Sequence, residues 1–98
     1  MLEVKSPFTK SSVSILEIGI SWSKLLGNTD TIASSVWSCD SPDITFSRQQ
    51  ISGALASCLI SGGTDGSQYE VFNTVTTATG LVDRRYIVVE IEETQLSS

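Results

Sequence analysis

The stretch SGGTDGSQYEV, residues 61–71, decides the fold because it joins a strand end, a glycine-rich turn and a tyrosine that opens the next strand. Gly62 and Gly63 lack a Cβ, so they can turn the chain through positive φ without a steric penalty. Tyr69 can then pack its ring into the end of a sandwich while its hydroxyl bonds to backbone a few residues upstream. This tyrosine corner predicts a two-sheet β-sandwich of the immunoglobulin or fibronectin-III type.

Segments on both sides of the corner alternate apolar and polar residues with a period of two, which is typical of half-buried strands. Turn residues separate these segments at short intervals, and no long helix can be placed. We therefore predict an all-β domain of about seven antiparallel strands. The alternating apolar faces are Leu16, Ile18 and Ile20; Tyr69, Val71, Asn73 and Val75; and Ile87, Val89 and Ile91.

The segment after the first strand carries a helical pattern over a few residues only. Trp22, Leu25 and Leu26 share one helical face, and Gly27 is a natural stop. We expect a single helical turn that plugs the end of the sandwich.

The second predicted strand, residues 30–39, contains a conflict of parity. Ile32 and Val36 lie on one face of an ideal strand, whereas Trp37 lies on the other. We therefore expect a bulge or a second sheet contact near Trp37. A short strand is predicted over Ile44–Arg48, and residues 49–53 fit no element clearly.

Length and composition indicate one domain. The 98 residues suffice for one small core, and we divide them into an N-terminal arm (1–13), the sandwich (14–92) and a polar tail (93–98). The first fourteen residues carry charges and a proline, so they do not resemble a signal peptide, and no apolar run is long enough to span a membrane. We expect a protein that is made in a cytoplasm.

Charge argues against nucleic acid and membrane partners. The net charge is −5, and the six Lys and Arg residues are scattered rather than gathered in a stripe. Cys39 and Cys58 fit free buried thiols, with a disulfide between them as the alternative.

Catalysis is not expected, because the chain has no histidine and therefore lacks the commonest general base and neutral metal ligand. Glu90, Glu92 and Glu93 form the densest acidic run and could supply a catalytic pair of carboxylates. The structural interpretation is a solvated strand edge and tail. Asp40 and Asp43 flank a proline turn, where calcium binding is the alternative to simple turn chemistry. We predict no catalytic, cofactor-binding or metal-binding residues and no cofactor.

Other residues have both a structural and a binding interpretation. Gly62, Gly63 and Gly66 could suggest a phosphate cradle, but no Walker lysine or helix follows them. Trp22 and Trp37 fit core residues, with a sugar- or peptide-stacking platform as the alternative. Arg84 and Arg85, beside Asp83, fit either a partner contact or a partly self-paired charge cluster.

Four segments carry a more specific signal: ISWSKLL (20–26), DTIASSVW (30–37), LISGGTDGSQYEV (59–71) and NTVTTATGLVDRR (73–85). Their order and spacing resemble the small virion proteins of tailed bacteriophages that are called fiber-tail adaptors. Members of that family resemble one another in an early tryptophan segment, an acid-Thr-Ile segment that ends in tryptophan, a Ser-Gly-Gly turn and a Thr-rich closing hairpin. The resemblance covers roughly residues 13–91.

The resemblance implies a non-enzymatic structural protein in the tail or neck of a virion, assembled in the host cytoplasm. Its partners would be tail fibers, tail proteins or neck and portal-associated proteins, and several copies would form a symmetric assembly. Two other classes of function stay open. One is a capsid decoration protein or another tail protein, and the other is a carbohydrate- or protein-binding adhesion sandwich.

Overall fold

The computed structural model of the chain describes residues 8–92 as two packed β-sheets with one short helix. The elements are β1 (Phe8–Lys10), β2 (Leu16–Ser21), α1 (Ser23–Leu26), β3 (Ile32–Cys39), β4 (Ile44–Ser52), β5 (Leu55–Gly62), β6 (Gln68–Thr77) and β7 (Val82–Ile91). A four-stranded sheet has the order β1-β7-β6-β3, and a three-stranded sheet has the order β2-β5-β4.

The all-β architecture with seven strands in two sheets confirms the coarse prediction, but one pairing is not antiparallel. β1 runs parallel to β7, with Phe8 opposite Val89 and Lys10 opposite Ile91. This strand lies inside the segment that we assigned to the arm. Its three residues are too few to show a period, and Lys10 is an unusual inward-facing residue. The amine of Lys10 is buried and donates hydrogen bonds to the backbone oxygens of Ser11 (2.6 Å) and Gly62 (2.7 Å).

The core lies between the two sheets and consists of the inward faces of the long strands. The predicted faces of β2, β6 and β7 all point inward, and Ala56, Cys58 and Ile60 of β5 complete the layer. Burying each Val or Ile side chain fully stabilises the fold by roughly 1.5–3 kcal/mol relative to leaving it exposed. The two sheets are held together mainly by this apolar contact.

A bulge in β3 resolves the parity conflict. The register of β3 with β6 shifts between Ile32 and Ser34, which agrees with the bulge expected near Trp37. Ile32 is therefore buried before the shift and Trp37 after it, with only 4% of the Trp37 surface exposed. Val36 points outward and is 56% exposed, so it does not share the face of Ile32 as an unbroken strand would require.

The helical turn forms as predicted. Trp22 is fully buried, Leu26 is buried below it, and the chain leaves α1 at Gly27 with φ of 64°. The backbone N–H of Trp22 donates to the oxygen of Ala54 (2.8 Å), which ties α1 to the β4–β5 hairpin.

β4 is longer than the predicted Ile44–Arg48 because it continues through residues 49–52. The register with β5 shifts between Ser47 and Gln50, and Arg48 adopts positive φ (49°) in this bulge. The polar residues 47–50 break the alternation, which is why the second half of β4 carries no clear strand signal in the sequence.

The sandwich has two different ends. At the hairpin end lie α1 and the β4–β5 and β6–β7 hairpins, and at the corner end lie the β1–β2, β3–β4 and β5–β6 connections. Residues 1–7 of the predicted arm and the predicted tail 93–98 lie outside the described residues.

Both cysteines are free thiols, as predicted, and the alternative disulfide is not formed. Cys39 is half-buried, whereas Cys58 lies in the core, where desolvation raises the pKa of its thiol to about 12. No helix among residues 8–92 has the length and apolar character needed to cross a membrane.

Candidate binding surface

Two kinds of feature stand out in the described part of the chain: the contacts that rigidify the sandwich and the side chains that it leaves exposed. The sequence has no histidine. Residues 8–92 contain no group of three or more His, Cys, Asp or Glu side chains that could hold a metal ion.

The tyrosine corner has the predicted backbone contact and one additional partner. The Tyr69 hydroxyl accepts a hydrogen bond from the Thr64 N–H (2.9 Å) and donates one to Asp43 Oδ2 (2.9 Å). Thr64 Oγ1 also donates to Asp43 Oδ2 (3.1 Å). Gly62 and Gly63 both have positive φ, and a Cβ on Gly62 would collide with the backbone oxygen of Asp43. Asp40 and Asp43 are both exposed on the β3–β4 connection, and Asp43 holds the tyrosine corner through these bonds.

A buried polar chain links α1 to the four-stranded sheet. Trp22 Nε1 donates to Asn73 Oδ1 (2.9 Å), and Asn73 Nδ2 donates to Ser35 Oγ (2.8 Å). The sequence predicted Trp22 as a core residue and Asn73 on an inward face, but not that they pair. Neither Trp22 nor Trp37 is exposed enough to stack on a sugar. The indole N–H of Trp37 has no hydrogen-bond partner among residues 8–92.

Asp30 fastens the β6–β7 hairpin to the β2–β3 connection. Its Oδ2 accepts a hydrogen bond from Thr79 Oγ1 (2.6 Å), and its Oδ1 accepts bonds from the N–H groups of Thr31 (2.8 Å) and Thr79 (3.2 Å). The bond from the Thr79 side chain is the main reason why the pKa of Asp30 lies below its usual range. These hydrogen bonds fix the tip of the β6–β7 hairpin.

The outer face of the four-stranded sheet carries a patch that we call the aromatic face, which consists of the half-buried Phe72 and four exposed side chains: Val36, Val82, Arg84 and Tyr86. Cross-strand register places Tyr86 opposite Phe72, with ring centroids 5.8 Å apart. The Arg84 guanidinium lies 4.7 Å from the centroid of the Phe72 ring. Val36 and Tyr86 are each 56% exposed and Val82 is 65% exposed, so no element of residues 8–92 covers this face.

Arg84 and Arg85 point to opposite sides of β7. The Arg85 guanidinium lies 4.7 Å from the centroid of the Trp22 ring, and its Nη1 donates to the oxygen of Ser21 (3.4 Å). Asp83 accepts a bond from the backbone N–H of Arg84 (2.8 Å), not from its guanidinium. Within residues 8–92, the Asp83 carboxylate therefore forms no ion pair with the guanidinium of Arg84 or Arg85. Both arginines are exposed.

The acidic run at the end of β7 lies at the corner end. Glu90 accepts a bond from Gln68 Nε2 (2.6 Å), Glu92 is exposed, and Glu93 lies outside the described residues. In the glycine-rich turn between β5 and β6, the Gly66 N–H donates to the backbone oxygen of Ile91 (2.7 Å), so this N–H is already used within the chain.

Comparison with known proteins gives one finding. The family model described as "Podophage GP4 fiber-tail adaptor protein gp77" matches residues 10–90, which cover both sheets and the helical turn. No curated protein matches the chain. The matched range includes every strand except the first two residues of β1 and the last residue of β7. The chain belongs to the podophage GP4 fiber-tail adaptor family, a family of bacteriophage structural proteins.

Proposed function

We propose that this protein attaches tail fibers, or adjacent tail and neck proteins, to the particle and has no catalytic role. The observation that carries the proposal is the family match over residues 10–90. The family description names a fiber-tail adaptor, which implies contacts with both a fiber and a tail protein. We further propose that several copies act together in a symmetric assembly of the virion, put together in the host cytoplasm.

The physical properties of the domain support this role. An adaptor must hold two partners at a fixed distance, which a rigid sandwich does better than a flexible chain. The buried Trp22–Asn73 hydrogen bond and the Asp30 contacts to Thr79 fix the hairpin end, and the Tyr69 corner fixes the other end. Repeated copies would turn modest individual contacts into strong attachment through avidity.

The finer fold assignment and the division of the chain belong to the same proposal. The tyrosine corner supports an immunoglobulin or fibronectin-III type of sandwich, since this device recurs in those folds. We also propose that an arm reaches a neighbouring subunit. Because Phe8–Lys10 forms β1, such an arm would end before Phe8.

The proposal is tested with phage particles that lack this protein. We expect particles with packaged heads and tail structures but without attached fibers, counted by electron microscopy. Supplying the full chain during assembly should restore the fibers. Particles that carry a normal fiber complement without the protein would contradict the proposal, whereas loss of head integrity would favour a capsid decoration role.

A further inference from the structure

The aromatic face has the composition of a protein contact site. Tyrosine and arginine are enriched where interfaces derive most of their affinity. Tyr86 and Arg84 both contact the Phe72 ring, which lies directly opposite Tyr86 in the pairing of β6 with β7. Because these contacts already restrict both side chains, they lose little further conformational entropy when a partner binds.

The charge of this face selects its partner. Arg84 is a cation in a chain of net charge −5, and it forms no ion pair with a carboxylate of residues 8–92. The other charged residues of the outer face, Glu70 and Glu90, lie toward the corner end, on the far side of the Phe72 ring from Arg84. A fitting partner therefore presents exposed apolar side chains with a carboxylate at one end.

The chain itself carries such a surface at a different place. Val13 (85% exposed) and Ile15 (66%) are the most exposed large apolar side chains of residues 8–92. Glu17 follows on β2 and is also exposed. We call these three residues the acidic stripe. They lie at the corner end, where the edge strand β2 begins. Among the described strands, β2 pairs with β5 alone.

The two surfaces match in composition and in charge. Each presents exposed apolar side chains beside one charged group, which is Glu17 on the acidic stripe and Arg84 on the aromatic face. The match joins two different patches of the molecule, so it is heterologous and connects copies head to tail. Such contacts close into rings when the rotation allows it and otherwise form filaments.

We propose that the aromatic face binds the acidic stripe of a second copy of this chain, with Glu17 of one copy paired to Arg84 of the next. This inference rests on the proposed function, in which several copies act together. It names the surfaces through which neighbouring copies meet, and it leaves Arg85, Glu90 and Glu92 for other partners.

Charge exchange tests the pairing directly. We expect the wild-type chain to self-associate in sedimentation equilibrium, with weaker association at high salt. Arg84→Glu and Glu17→Arg should each weaken self-association about tenfold or more, since each places like charges together. The double variant with both substitutions in one chain should recover it, and so should a mixture of the two single variants.

Matched controls separate the pairing from general effects of charge. Lys24→Glu and Asp65→Arg make the same changes of charge at exposed residues outside both surfaces and should leave association unchanged. Val13→Ser together with Ile15→Ser should abolish association without loss of folding, because both side chains are exposed. Circular dichroism on every variant checks the fold.

Two results would overturn the inference: a wild-type chain that stays monomeric up to about 1 mM, or a double variant that does not recover association. Binding to the tail and fiber proteins is measured separately. A monomer that still binds them refutes the pairing and leaves the proposed function standing. A chain that self-associates but binds neither refutes the proposed function instead.

Discussion

Single residues fix the corner end of the sandwich, and Tyr69 is the most important of them. Its hydroxyl bonds to Thr64 and Asp43 at a point where Gly62 and Gly63 turn the chain through positive φ. Sequence spacing was sufficient to predict the turn, the tyrosine and a backbone partner. Asp43 could not be predicted, since it lies 26 residues away and reaches the corner only through the pairing of β4 with β5.

Removing the Tyr69 hydroxyl tests the corner. We expect Tyr69→Phe to lower the free energy of unfolding by about 1–3 kcal/mol, because the Thr64 N–H and the Asp43 carboxylate lose a partner. Urea unfolding at neutral pH measures the change. Tyr86→Phe is the matched control: that ring is on the exposed aromatic face, and its loss of a hydroxyl should change stability little. Equal effects of both substitutions would show that the corner does not stabilise the fold.

At the scale of elements, the long strands follow from the sequence and the irregular ones do not. Period two is sufficient to place the inward residues of β6 and β7, and the parity of Trp37 indicates that β3 contains a bulge. β1 is too short to show a period. The position of the bulge, between Ile32 and Ser34, depends on pairing with β6. The stacking of Arg84 on Phe72 likewise depends on cross-strand register, which a single strand pattern does not contain.

The Asp30 contacts that hold the β6–β7 hairpin should make stability depend on pH. Hydrogen bonding to Thr79 lowers the pKa of Asp30 in the folded state relative to the unfolded chain. A carboxyl with a depressed folded pKa stabilises the fold above its unfolded pKa, about 3.9, and this stabilisation is lost as pH falls through the folded value. We expect Asp30→Asn to be less stable than wild type at pH 7, with the difference shrinking toward pH 2.

Thermal unfolding of both chains across that pH range gives the comparison. Asp65→Asn serves as the control, because Asp65 is exposed and makes none of these hairpin contacts. A constant difference between wild type and Asp30→Asn from pH 7 to pH 2 would contradict the account, since the substitution would then act through packing and not through charge.

At the scale of the whole molecule, two ends and two faces differ in chemistry. The hairpin end is rigidified by the buried Trp22–Asn73 bond, and the corner end carries the acidic residues Glu90 and Glu92. Among residues 8–92, only the four-stranded sheet places aromatic rings on its outer face. A family member with such distinct surfaces is suited to hold different neighbours at once, which is the task that its family name describes.

The most direct measurement of that task is a bridging experiment. The fiber protein of the parent phage is immobilised, and binding of the purified tail protein is followed by interferometry with and without this chain. The account predicts that the tail protein is retained only when the chain is present, and that all three proteins then form one complex. Equal retention of the tail protein without the chain, or failure of the chain to bind either protein, would contradict it.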